Sequence, residues 1–145
     1  MYQETFIREI RIQYHNTGKP LFGIHSPKAA QDFVRSVLPD NSREHCIALY
    51  LNAAHEVICY SHIATGTADG ATVSPREIFQ RALAAGAVAL IFAHNHPSGQ
   101  VKPSGEDIRI TKRIQEAGAL LGIKLLDHVI VSDDACYSFQ DDGQL

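Results

Sequence analysis

The sequence predicts an α/β domain built on one mixed β-sheet flanked by helices. Apolar runs rich in β-branched residues over 45–51, 57–63, 87–93 and 123–131 have the length of strands. Helical spacing preceded by N-cap residues alternates with them, which is the pattern of strands covered by helices. One strand pair, 45–51 with 57–63, is joined by a short polar link and reads as antiparallel, so the sheet is mixed.

Along the chain, Phe6–Tyr14 alternates, with Ile10 and Ile12 on one side and Arg11 and Gln13 on the other, and is predicted as a first strand ended by Asn16-Thr17-Gly18-Lys19-Pro20. Ser26-Pro27 supplies an N-cap and a proline at the first helical position. Ala29, Ala30, Phe33, Val34, Val37 and Leu38 follow at helical spacing until Pro39-Asp40-Asn41-Ser42 stops the helix. The hairpin turns through Asn52-Ala53-Ala54-His55, and Thr65–Gly70 is a polar, glycine-rich loop leading away from it. Ser74-Pro75-Arg76-Glu77 has the form of a capping box, opening a helix that ends at Ala85 before Gly86. A strand ending at His94 follows, then a helix from Ser104 to about Leu121 closed by Gly122, a strand over 123–131, and a short last strand at Tyr137–Phe139.

With 145 residues the chain is expected to form one domain with a single substantial core. The net charge of -3 and the lack of any Lys/Arg run leave no electrostatic footprint for non-specific nucleic-acid binding. Lys102, Arg109, Lys112 and Arg113 gather on one helix start but read as a solvated face. No basic-then-apolar leader opens the sequence and no apolar run is long enough for a membrane span, so a cytoplasmic protein is expected. Cys46, Cys59 and Cys136 lack C-x-x-C spacing and are expected to be reduced thiols, the first two as small buried strand residues.

The chemistry concentrates in His94-Asn95-His96, Ser104 and Asp107, spaced H-x-H-x7-S-x2-D. Two histidines one residue apart at the end of a strand share a face. The turn-forming stretch Pro97–Pro103 then returns the chain, and an Asp in the first turn of the next helix completes a His2Asp set around one cation. Two imidazoles, a carboxylate and a fourth position held by water are the donor set of a hydrolytic zinc site. Ser104 with Asp107 is equally a common helix start, in which both serve as capping residues. Hydrolysis at such a site needs a carboxylate to move protons. Glu77 and Glu106 lie in first helical turns, Glu56 in a hairpin turn and Glu116 far along a helix. Glu44, at the mouth of the 45–51 strand, is the best candidate. The same donor set suits a non-haem iron oxygenase. A nucleobase deaminase is disfavoured because its P-C-x-x-C pair is missing.

Glu44, His94-Asn95-His96-Pro97-Ser98-Gly99, Pro103-Ser104, Asp107 and Leu126-Asp127-His128-Val129-Ile130 together resemble the RadC family of the JAMM (MPN+) metalloprotease superfamily, over about residues 26–139. The resemblance implies a JAMM/MPN-like fold related in outline to cytidine deaminases. It implies one zinc ion on His94, His96 and Asp107 with water as fourth ligand, Glu44 as general acid/base, and Ser104 as hydrogen-bond donor to a tetrahedral oxyanion. The function implied is a metallopeptidase or isopeptidase acting on a peptide or protein. The family's DNA-repair name raises the alternative of a DNA-associated accessory protein. Typical members also carry a helix-hairpin-helix region, for which this chain has no room, so a short form is expected. His128 reads as a satisfied histidine near the core, with a place behind a metal ligand as its other reading.

Overall fold

A computed structural model describes residues 4–66 and 73–145. Six strands, β1 (Phe22–Gly23), β2 (His45–Leu51), β3 (Glu56–Thr65), β4 (Ala89–Asn95), β5 (Lys124–Val131) and β6 (Cys136–Ser138), form one sheet in the order β1-β3-β2-β4-β5-β6. Among the described residues only β4 and β5 run parallel, as the crossover through a helix between them allows; every other pairing there is antiparallel. The mixed sheet flanked by helices is the predicted class.

Among the described residues three helices cover the sheet: α1 (Pro27–Val37), α2 (Pro75–Ala85) and α3 (Gly105–Leu121). Ala30 and Val34 of α1 pack with Ile47, Leu49, Leu51, Ile91, Val129 and Val131 on one face. On the other face Ile78, Phe79 and Ala82 of α2 and Ile114 of α3 meet Ala48, Tyr50, Leu90, Phe92 and Leu125. Alternation along each strand divides the core between the two faces. Every residue of β2 and β4 is buried, which explains why they read as continuous apolar runs.

Local signals explain the helix ends. Ser26 Oγ accepts from Ala29 N at 3.2 Å, with Pro27 beginning the helix. Gly86 and Gly122 close α2 and α3 at φ 70° and 72°, a left-handed conformation that glycine takes without a Cβ penalty.

Three expectations need correction, and a fourth falls largely outside the described residues. Phe6–Tyr14 is not a strand: it lies outside the sheet without regular structure, and Ile10 and Ile12 are exposed. The short β1 instead pairs with the start of β3 at Val57 and Glu56. The Ser74 side chain makes no capping bond; α2 starts on the Ser74 carbonyl, which accepts from Glu77 N and Ile78 N. Cys59 is exposed rather than buried, because β1 covers β3 only at Val57 and Glu56. The 65–70 loop lies outside the described residues from 67 onward, up to 72.

Candidate metal centre

The centre sits where β4 runs out beside the start of α3. β4 carries His94 with Leu90 and Phe92 on the α2/α3 face. His96 stands just beyond the strand, its N–H still donating to Val131 of β5 at 2.9 Å. The chain turns at once, with Gly99 N on the His96 carbonyl at 3.0 Å and Gly99 at φ 88°, a conformation suited to glycine. Seven residues intervene before Ser104, which caps α3.

Ser104 and Asp107 cap the helix, and the same geometry turns Asp107 toward the histidines. Ser104 Oγ accepts from Asp107 N at 3.0 Å, and Asp107 Oδ2 accepts from Ser104 N at 2.9 Å, a complete capping box. The box fixes the Asp107 rotamer so that its carboxylate also faces the histidines: Oδ1 lies 3.3 Å from His94 Nε2, and Oδ2 lies 3.4 Å from His96 Nε2. The two Nε2 atoms are 2.9 Å apart. Glu44 Oε1 approaches His94 Nε2 to 4.0 Å. One ligating atom from each of Glu44, His94, His96 and Asp107 falls within 4.8 Å of the other three. All four predicted side chains are therefore brought together, and Ser104 stands beside them.

The donor set fits a metal ion. At zinc–ligand distances of about 2.0–2.1 Å, tetrahedral geometry puts neighbouring ligands about 3.3 Å apart, close to the 2.9, 3.3 and 3.4 Å found here. Two imidazole nitrogens facing each other at 2.9 Å need a cation or a proton between them. His96 Nδ1 donates to the Gln100 carbonyl at 2.7 Å, which leaves its Nε2 lone pair for the centre.

Asp107 and His96 perturb one another. Burial pushes the Asp107 carboxyl up, but its hydrogen bonds to His94 and His96 outweigh this and hold it well below the usual carboxylate range. Asp107 hydrogen bonding raises the His96 pKa against the opposing effect of burial. The start of α3 adds the helix dipole in favour of the anion. Burial pushes the neighbouring Cys46 thiol up to about 12, with the Glu44 and Asp107 charges adding to it.

Two sets of residues support the centre from behind, and of these only His128 was weighed for such a place from the sequence. The first is Asn95, wholly buried between the histidines on the opposite face. Its Oδ1 accepts from His45 N at 2.7 Å, and its Nδ2 donates to the Arg43 carbonyl at 2.9 Å and the Asn41 Oδ1 at 2.8 Å. The peptide groups on both sides of Glu44 are thus held by one side-chain amide, while the Glu44 carbonyl accepts from Gly66 N at 2.7 Å. The H-N-H spacing was the available signal, since Asn95 must face away from both histidines.

The second set is His128 with Thr111. His128 is fully buried with both ring nitrogens partnered, the satisfied core histidine expected, and its Nε2 also lies 2.8 Å from Nδ1 of the candidate ligand His94, so its two readings coincide. Its ring is held between Phe139, stacked at 4.6 Å and 3°, and Phe92 at 4.8 Å. Burial, reinforced by the neighbouring His94, pushes the His128 pKa well below the ordinary value. Asp127 fixes the segment, accepting from His128 N, Gln140 N and Ser138 Oγ.

Comparison with known proteins follows this geometry. Residues 24–144 match the family model described as RadC-like JAB domain. A UPF0758 protein of Cellvibrio japonicus is 45% identical over 122 residues, covering 84% of this chain and 54% of that protein. A UPF0758 protein of Rubrobacter xylanophilus is 42% identical over 130 residues, 90% of this chain and 56% of its own length. Another from Chlorobium chlorochromatii is 39% identical over 139 residues, 96% and 63% respectively. The chain spans little more than half the length of these relatives.

Proposed function

The chain belongs to the RadC-like JAB domain family, and from that membership and the convergence of Glu44, His94, His96 and Asp107 we propose a zinc-dependent amide hydrolase, a peptidase or isopeptidase. The observation that carries the reading is the approach of two imidazole Nε2 atoms and a carboxylate to within 3.4 Å, with a second carboxylate just outside them. His94, His96 and Asp107 hold the ion. Bound there, zinc supplies Lewis acidity for a carbonyl oxygen and lowers the pKa of water toward about 7.

The chain's own groups do the rest. Glu44 is half-buried, 4.0 Å from His94 Nε2, and its backbone is held on three sides, by Asn95 at both flanking peptides and by Gly66 N. A carboxylate in this position takes the proton of the attacking water and delivers it to the departing amine nitrogen. Ser104 Oγ accepts the Asp107 N–H, and its own hydroxyl proton has no acceptor among the described residues. That proton is free to donate to an oxyanion formed beside the centre. Being exposed, Ser104 meets a substrate arriving from solvent.

The test is a screen of zinc-loaded protein against extended peptides and isopeptide-linked substrates, with Glu44→Gln as control. Glu44→Gln is expected to keep stoichiometric zinc and lose at least a hundredfold in rate, the usual contribution of a positioned general base. Full activity in that variant overturns the role given to Glu44. Stoichiometric iron after purification without added metal overturns the choice of zinc.

A further inference from the structure

We infer that Thr111 and His128 fix the tautomer of His94, holding its proton on Nδ1 so that the Nε2 lone pair always faces the metal centre. The argument starts at a group that can only accept. The Asp107 main-chain carbonyl lies 2.6 Å from Thr111 Oγ1. Two oxygens that close require a proton between them, and only the hydroxyl has one to give. With its proton committed, Thr111 Oγ1 can only accept from its other neighbour, His128 Nδ1, at 2.5 Å. His128 therefore carries its proton on Nδ1. Its Nε2 is left as an acceptor, and His94 Nδ1 at 2.8 Å must donate to it. The remaining nitrogen of His94 is Nε2, the atom 3.3 Å from Asp107 Oδ1 and 2.9 Å from His96 Nε2.

The chain of bonds closes on itself. It leaves one candidate ligand, His94 on β4, passes through β5 and α3, and ends on the backbone of another, Asp107. His128 and Thr111 are both buried, so water does not offer an alternative partner, and the flanking rings of Phe92 and Phe139 prevent His128 from turning away. His96 reaches the same protonation by a simpler route, through the Gln100 carbonyl. Thr111 and His128 are thus positioning residues, acting on the ligand and not on any substrate. The inference rests on the metal-centre reading only for its consequence; the tautomer is a property of the metal-free protein.

The experiment has two readouts. Long-range proton–nitrogen correlation spectra of the metal-free protein, at a pH of about 8.5 where imidazoles are neutral, are expected to show His94 and His128 both protonated at Nδ1. Chelator competition then measures zinc affinity in Thr111→Val, which keeps the side-chain shape and removes the hydroxyl, and in Thr111→Ser, which restores it. Thr111→Val is expected to weaken zinc binding about 10–100-fold, the usual effect of losing such a partner, and Thr111→Ser to recover it. A His94 proton on Nε2 in the wild-type protein, or wild-type zinc affinity in folded Thr111→Val, overturns the inference. Nδ1 protonation in a protein that takes up no zinc sustains it and overturns the metal-centre reading instead.

Discussion

Replacing Asn95 with alanine separates the two halves of the centre, because Asn95 holds Glu44 and touches none of the three candidate metal-ligand side chains. The substitution leaves the His45 N–H and the Arg43 carbonyl without the partners they have at 2.7 and 2.9 Å. Each buried main-chain group left unpaired costs about 1–3 kcal/mol. Asn41 and Arg43 lie near the surface, where water partly replaces the amide, so a loss of about 2–4 kcal/mol is expected in urea denaturation. For a chain of this size that lowers Tm by about 4 °C for each kcal/mol. Zinc affinity is expected to stay at the wild-type level, since His94, His96 and Asp107 keep their own supports, while hydrolysis of any substrate found falls with the displacement of Glu44. A stability loss below about 1 kcal/mol would mean that residues 41–45 hold their shape unaided. Loss of zinc binding in a folded variant would show that Asn95 supports the ligands and refute the division drawn here.

Gly118 packs α3 against the start of β5, and a Cβ there would meet the Ile123 carbonyl oxygen at 2.2 Å. Gly118→Ala is therefore expected to destabilise the protein by about 3 kcal/mol or more, as overpacking against immovable backbone does; a midpoint unchanged in urea would refute it. His128 sets a pH dependence whose sign follows from its lowered pKa. The folded protein keeps the ring neutral and the unfolded chain protonates it below about pH 6.5, so unfolding takes up a proton and stability falls as pH drops through that value. Metal-free wild type is expected to lose stability more steeply below pH 6.5 than His128→Leu, by up to about 1.4 kcal/mol per pH unit. Parallel curves for the two proteins would show that His128 titrates normally in the fold.

Local rules made most of the architecture legible, and they failed where tertiary context outweighed them. α1 and α3 begin where Ser26 and Ser104 predict, because a side-chain oxygen and an unpaired helix N–H are within reach whatever surrounds them. Ser74 has the same pattern and makes no such bond; Pro75 and the Ser74 carbonyl suffice to start α2. The alternation of Ile10 and Ile12 had the form of a strand, but a strand needs a partner, and among the described residues this segment pairs with none. At the centre, His94, His96 and Asp107 were readable because they follow one another over a strand end, a tight turn and a helix start. Glu44 was found by elimination, and its place beside them depends on β2 pairing with β4, Cys46 opposite His94, a non-local fact that no spacing within the chain records.

His128 shows a deeper reason for the limit of sequence reading. Between Leu90 and Ile91 the β4–β5 register slips: Leu90 pairs with Leu125, and Ile91 with Asp127. One extra residue on β5 reverses the side to which everything after it points. Leu125 lies on the α2/α3 face, while Val129 and Val131, an even number of residues later, lie on the α1 face. Uninterrupted alternation from Leu125 would have sent His128 to the α1 face, away from His94. The slip puts it opposite Phe92 instead, on the side where α3 brings Thr111. A pattern read with period two is bound to lose such a residue, since the irregularity that makes it useful is the one that breaks the period. The same slip aligns His94 with Ile130, so the histidine that holds the centre and the histidine behind it come from strands whose mutual register is set by a single bulged residue.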